Sequence, residues 1–254
     1  MDKKDLIPHS PVRYFDATNA ALKAGEMGLI TAKKGLGKTS ILVQFGIDSL
    51  LNDKGLVHVS FDQQSSNVIA WYSSVMAEIS KKKNFNIDDV NEEIVKHRTI
   101  LNFNQETFTL PKVVNTLKAL KEGGINIATI VVDGLDMAKV EKADLDCFAS
   151  FVKAENMTAW FSYTNEADTL DATLPADKLD AFASVAHLAA EGNGLALTVL
   201  KNGNGKVALD AKTLLRAPSP ISTVNGPLLN PVKSTCSTVS AAATDLWAAS
   251  STPS

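Results

Sequence analysis

Short apolar runs alternate with longer stretches of helical apolar spacing over most of the chain. The runs are rich in β-branched residues, and this predicts strands that are buried on both faces. The predicted strands are Met27–Ala32, Leu56–Phe61, Thr99–Phe103, Ile127–Asp133 and Thr158–Tyr163, and the predicted helices are Thr39–Leu51, Asn67–Lys83, Leu110–Glu122 and Glu141–Glu155. This alternation predicts an α/β fold, with a mainly parallel central sheet flanked by helices.

The pattern changes towards the end of the chain. The stretch Gly194–Leu209 predicts a C-terminal β-hairpin that turns at Asn202–Gly205. Beyond Arg216, Ser, Thr, Pro and Ala dominate and no periodicity is sustained. We therefore expect one folded domain over residues 1–216, followed by a low-complexity, disordered tail over residues 217–254.

Composition narrows the class of protein. The chain has 254 residues, of which 45% are hydrophobic, and a net charge of −3, as is usual for a globular protein. Nucleic acid stays open as a partner through a local basic patch, although the net charge does not indicate it. No apolar stretch is long enough to span a bilayer, and the two cysteines imply no disulfide framework. We therefore expect a cytoplasmic protein without a membrane partner.

The junction between the first predicted strand and helix carries a phosphate-binding pattern. The stretch AKKGLGKT fits the Walker A form, in which Gly or Ala precedes four free positions and then Gly-Lys-Ser/Thr. Gly35 and Gly37 let backbone N–H groups turn towards phosphate oxygens, and the following helix directs its positive end at the same anion. Lys38 is expected to reach the β- and γ-phosphates. The whole predicted contact set is Ala32, Lys33, Lys34, Gly35, Leu36, Gly37, Lys38, Thr39 and Ser40.

A second motif supplies an acidic residue for a predicted metal site. Asp133 ends the apolar run IATIVVD at the edge of the sheet where ligands bind, which is the Walker B form. We expect Thr39 and Asp133 to hold Mg²⁺ beside the bound nucleotide. A turn or helix-cap role is favoured for Asp136, and core packing rather than base stacking is favoured for Trp71 and Tyr72.

These motifs together resemble the RecA-like P-loop ATPases, most closely the KaiC and RadA–DnaB branch. The resemblance spans Val12 to Arg216 and includes the leader GEMGLITAKKGLGKT, the strand and helix GLVHVSFDQQSSNVIAWYSSV, the strand TAWFSYTNE and the hairpin LALTVLKNGNGKVALD. It implies ATP with Mg²⁺, a homo-oligomer with nucleotide at subunit interfaces, and catalytic roles for Lys38 and four further residues. By this resemblance Asp62 polarises the attacking water, Thr164 or Asn165 senses the γ-phosphate, and Lys201 reaches a neighbouring subunit's ATP.

Two departures from the family pattern concern hydrolysis. Asp62 stands where the family usually has Glu, and Gly203 stands where the hairpin usually has Arg. A shorter acid and a missing guanidinium predict slow ATP hydrolysis without loss of nucleotide binding. Two alternatives stay open: a degenerate nucleotide-binding scaffold or regulator without hydrolysis, and a MinD/ParA-type ATPase, whose signature lysine Lys33 would match. The preference for ATP over GTP depends on the resemblance alone.

Overall fold

The structure is a computed structural model that describes residues 6–10, 12–61, 63–83, 92, 94–107, 109–191, 194–203 and 205–207. Its strands are β1 Met27–Ala32, β2 Leu56–Ser60, β3 Arg98–Asn102, β4 Thr129–Asp133, β5 Thr158–Thr164, β6 Ser184–Glu191, β7 Gly194–Asn202 and β8 Gly205–Lys206. Its α-helices are α1 Val12–Ala17, α2 Lys38–Leu51, α3 Ser65–Lys83, α4 Leu110–Glu122, α5 Lys142–Ala154 and α6 Ala176–Leu179, and 3₁₀ turns lie at Ile7–His9 and Leu170–Ala172.

Within these residues, eight strands form one sheet in the order β3-β2-β4-β5-β1-β6-β7-β8. The strands from β3 to β6 are all parallel, while β7 and β8 are antiparallel additions at one edge. The strand β5 lies between β1 and β4, so the carboxyl ends of these three parallel strands lie side by side. Ligands of open α/β sheets bind just beyond the carboxyl ends of the strands.

Helices cover both faces of the sheet, which explains why the central strands are mainly apolar on both faces. On one face, side chains of α1, α2 and α3 pack against Ile30, Val131 and Trp160. On the other face, α4 and α5 pack against alternate residues of the same strands, such as Leu29 and Val132. Every residue of β1, β2 and β4 is buried as a result.

The predicted α/β class, with its mainly parallel sheet, flanking helices and C-terminal hairpin, is confirmed. Strand β1 and helix α4 have the predicted bounds, and α4 ends at Gly123–Gly124, where Gly124 has φ +88°. Strand β6 was not predicted, because its sequence SVAHLAAE is rich in alanine, which favours helices. It forms a strand because β1 and β7 offer ladders on both of its sides.

Two sequence predictions lie outside the described residues, namely the tail 217–254 and the side chain of Asp62. The division into a domain over 1–216 and a tail therefore stays a prediction. Among the helices that the structure describes, none is long and apolar enough to cross a membrane.

Candidate functional site: a loop, a carboxylate and a cleft

The loop between β1 and α2 has the backbone of an anion site. Gly35 and Gly37 have φ values of +84° and +92°, a conformation that strains residues other than glycine. A side-chain carbon at Gly35 would meet no atom within 4 Å, so the loop is open above this residue. No described side chain caps α2 by a hydrogen bond, and its first turn contains no acidic residue. The positive end of α2 is therefore available to an anion.

Lysine side chains surround this loop. The Nζ atom of Lys38 donates hydrogen bonds to the carbonyl oxygens of Ala32 and Lys33, at 3.2 Å and 3.1 Å, so its ammonium group lies across the loop. Lys33 is exposed and lies 3.9 Å from the carboxylate of Glu166. Lys34 lines the same cleft as Lys38. The loop thus concentrates positive charge beside its backbone N–H groups.

The carboxylate of Asp133 is buried at the foot of the loop, with 3% of the residue exposed. Its Oδ2 accepts a hydrogen bond from the Thr39 hydroxyl at 2.6 Å, and its Oδ1 accepts one from the Ser162 hydroxyl. The N–H of Gly134 in turn donates to Ser162 Oγ at 3.0 Å. The structure therefore brings both predicted metal-binding residues, Thr39 and Asp133, into direct contact.

An open cleft of about 580 Å³ extends from the loop along the carboxyl ends of the strands. Asp133, Gly134 and Asp136 line it together with three neutral side chains, namely Gln63, Trp71 and Gln105. Asp136 also accepts a hydrogen bond from the N–H of Ala138 at 3.2 Å, so the predicted turn role is confirmed.

The two aromatic residues of α3 differ in their environment. Tyr72 is buried in the core, as predicted. Trp71 packs against the same core but is only partly buried, and it also lines the cleft. The predicted core packing of Trp71 is therefore confirmed, and the same residue also lines the cleft.

The other predicted site residues do not all face the cleft. Thr164 lines it, whereas the side chain of Asn165 holds the following segment. Its Nδ2 donates to the carbonyl oxygens of Ala172 and Thr173 at 3.3 Å and 3.0 Å, and its Oδ1 accepts from the N–H of Ala167 at 3.0 Å. These bonds give Asn165, one of the two predicted γ-phosphate sensors, a structural role in the segment after β5.

Lys201 lies away from the cleft of its own chain. It pairs with Val185 near the start of β6, and Val185 pairs with Leu29, whereas the loop follows the other end of β1. Its Nζ donates to the carbonyl oxygen of Leu179 at 2.8 Å. Burial lowers the pKa of Lys201, and the nearby charge of Asp180 raises it in part. Any contact of Lys201 with nucleotide therefore requires a neighbouring subunit.

Ser40 and His58 are buried polar residues beneath the site. The Ser40 hydroxyl, at the start of α2, has no hydrogen-bond partner among the described residues. His58 Nδ1 lies 3.1 Å from the Tyr72 hydroxyl. Burial lowers the pKa of His58 to about 4, while the charge of Asp133 raises it and that of Arg98 lowers it. His58 is therefore neutral at physiological pH.

Sequence reasoning missed Ser162, Gln105 and Gln63. Ser162 lies opposite Asp133 because β4 and β5 pair in a register that joins Val132 to Phe161. Alternation along β5 could have placed Ser162 on the face of Trp160, but only the register shows which residue it meets. Gln63 and Gln105 follow β2 and β3, and no local motif distinguishes them.

The chain matches no protein-family model and no curated protein. What is known of the site therefore comes from its own residues.

Proposed function

We propose that this chain is an Mg²⁺-dependent ATP-binding protein of the RecA-like P-loop class, with slow ATP hydrolysis. The observation that carries the proposal is the 2.6 Å hydrogen bond from Thr39 to Asp133 at the foot of the glycine loop. It joins the hydroxyl and the carboxylate that Walker A and Walker B patterns require, although the two residues are far apart in sequence. A glycine-rich turn without function gives no reason for this pairing.

The residues present fit both groups that the proposal requires. Mg²⁺ prefers oxygen ligands, and the Thr39 hydroxyl and Asp133 carboxylate supply them. The nucleotide's phosphates are expected on the N–H groups around Gly35 and Gly37, which both have positive φ, and the space beside Gly35 is open. When bound, Mg²⁺ would neutralise phosphate charge.

Three residues of the chain have distinct roles in the proposed reaction. Lys38 exchanges its two loop carbonyls for phosphate oxygens, which are stronger partners because they are charged. Thr164 offers a hydroxyl to the terminal phosphate from the end of β5. Asp62, which follows β2 in the chain, is the proposed acid that orients water. Its short side chain and the glycine at position 203 are the reasons for slow turnover.

A homo-oligomer completes the proposal, because Lys201 lies away from its own chain's cleft. A second candidate, a nucleotide-binding scaffold without hydrolysis, is favoured by one specific observation: Lys201 and Asn165 both have their polar atoms bonded within their own chain. The two candidates share nucleotide binding and differ only in turnover.

A matched pair of lysine variants tests the nucleotide site. Lys38→Ala should weaken Mg²⁺-ATP binding by about 10- to 100-fold, because a hydrogen bond to a charged group contributes about 1.5–3 kcal/mol. Lys34→Ala removes the same charge from the same cleft and should have a smaller effect. Equal effects of both variants in equilibrium titrations would mean that bulk charge, and not the loop, binds the nucleotide.

A further inference from the structure

The turn after Asp133 is held from two sides. Gly134 has φ +79°, and its N–H donates to the Ser162 hydroxyl at 3.0 Å. Its carbonyl oxygen accepts a hydrogen bond from Nε2 of Gln105 at 2.6 Å. Both backbone polar groups of this one residue are thus bonded to side chains from other parts of the sheet, which fixes the orientation of the turn.

The orientation of this turn is transmitted to the carboxylate. A serine hydroxyl has one proton, and Ser162 accepts from Gly134 and donates its proton to Oδ1 of Asp133. With Oδ1 held by Ser162, Oδ2 is the oxygen that faces Thr39. The N–H of Gly134 lies in the peptide bond to Asp133 and its carbonyl lies in the next one, so the two peptides are linked by the backbone angles of Gly134. A change in these angles would disturb the bond to Ser162 and thereby the orientation of Asp133.

Gln105 is itself well anchored, although it is exposed. The preceding residue, Asn104, accepts hydrogen bonds at its side chain from the N–H of Glu106 and at its carbonyl from the N–H of Thr107, at 2.8 Å and 3.2 Å. The strand β3 is the edge of the sheet and β2 separates it from β4. Gln105 lies beyond the end of β3, so the segment after this strand, and not the side chain alone, brings its amide to the turn after Asp133.

We propose that Gln105 is a positioning residue, which fixes the Gly134 turn and thereby the Asp133 carboxylate for the Mg²⁺ that accompanies the nucleotide. This inference rests on the proposed function, since it concerns the metal side of the same site. It assigns a role to a residue outside both phosphate-binding patterns. A simple rim contact, by contrast, would affect ligands with and without metal equally.

The test compares Gln105→Met with Gln63→Met in the full chain. Both variants replace a cleft-lining amide by an apolar side chain of similar length without a change of charge. ATP affinity is measured in Mg²⁺ and in EDTA, and amide hydrogen exchange at Gly134 is measured without ligand. For Gln105→Met we expect about 3- to 10-fold weaker ATP binding in Mg²⁺, unchanged binding in EDTA and faster exchange at Gly134, because one hydrogen bond is lost. Gln63 lines the cleft but is not the residue that donates to Gly134, so for Gln63→Met we expect any loss to be equal in Mg²⁺ and in EDTA, and wild-type exchange at Gly134.

The inference is overturned if Gln105→Met keeps the wild-type ratio of the two affinities, if its loss is the same in EDTA, or if Gln63→Met shows the same Mg²⁺-dependent loss. If the wild-type chain binds no ATP in either buffer, the proposed function is wrong and this inference falls with it. The wild-type titration therefore separates the two kinds of failure.

Discussion

At the scale of single residues, the site depends on polar groups that are buried under the loop. Asp133 has a hydroxyl donor on each of its oxygens, so its charge is stabilised although it is withdrawn from water. His58, on the neighbouring strand, avoids the cost of a buried charge because it is neutral: burial lowers its pKa to about 4.

The lowered pKa of His58 predicts how stability depends on pH. The unfolded chain binds this proton below the ordinary pKa of 6.5 and the folded chain only below about 4, so stability from this residue is complete above pH 6.5 and is lost as the pH falls towards 4. The loss amounts to about 3 kcal/mol. In denaturant titrations, His58→Gln should remove this part of the pH dependence.

The matched control for this prediction is His97→Gln, because His97 is exposed. It should keep the wild-type pH dependence. A His58→Gln variant whose unfolding free energy falls between pH 6.5 and 4 as steeply as that of the wild type would show that His58 is not held neutral.

At the scale of elements, Trp160 of β5 packs against strand β1 and against helices α1 and α2. This indole lies between Phe15 and Phe45, with ring centroids 5.1 Å and 4.6 Å away, and it also covers Gly28. A side-chain carbon at Gly28 would lie 2.3 Å from the indole. Glycine is therefore required here by close packing, in the strand that leads into the loop.

Gly28→Ala should destabilise the fold by about 1–3 kcal/mol, because the indole must leave a well-packed position. Gly123→Ala is the control, since Gly123 has φ −75° and its nearest neighbours are 3.4 Å from the added carbon. For Gly123→Ala, the free energy of unfolding should change by less than about 0.5 kcal/mol. Thermal unfolding of both variants decides the matter, and equal melting temperatures would contradict the packing argument.

Apart from β6, the parallel strands and the four long helices could be predicted from apolar periodicity, because strands such as β4 are buried on both faces and α4 has a clear apolar face. The loop and Asp133 could be predicted because their residue types are local signatures. Ser162 and Gln105 could not, since each reaches the site through strand register and order. Asn165 shows the converse: its residue type suited a phosphate contact, but the segment after β5 uses its amide to form its own turns.

At the scale of the whole molecule, the hairpin that carries Lys201 lies at one edge of the sheet, and the cleft lies along the carboxyl ends of the parallel strands. If hydrolysis depends on assembly, Gly203→Arg should raise the ATP turnover by roughly tenfold or more, with a gain that grows with protein concentration. The new side chain has room, since the nearest atom to its first carbon is 3.9 Å away.

The acid in the same chain gives the complementary test of turnover. Asp62→Glu should raise the rate further, because the longer side chain brings its carboxylate nearer to the terminal phosphate, and Asp62→Asn should abolish turnover. Rapid wild-type hydrolysis that survives Asp62→Asn would contradict this assignment, and Asp136 would then be the first residue to test.

Nucleotide binding by the loop is the central claim, and a calorimetric titration of the wild-type chain with ATP in excess Mg²⁺ tests it most directly. The account predicts saturable binding of one nucleotide per chain, weakened about 10- to 100-fold in Lys38→Ala and competed by ADP. If the wild type gives no binding heat up to millimolar ATP at several temperatures, the loop between β1 and α2 is not a nucleotide site.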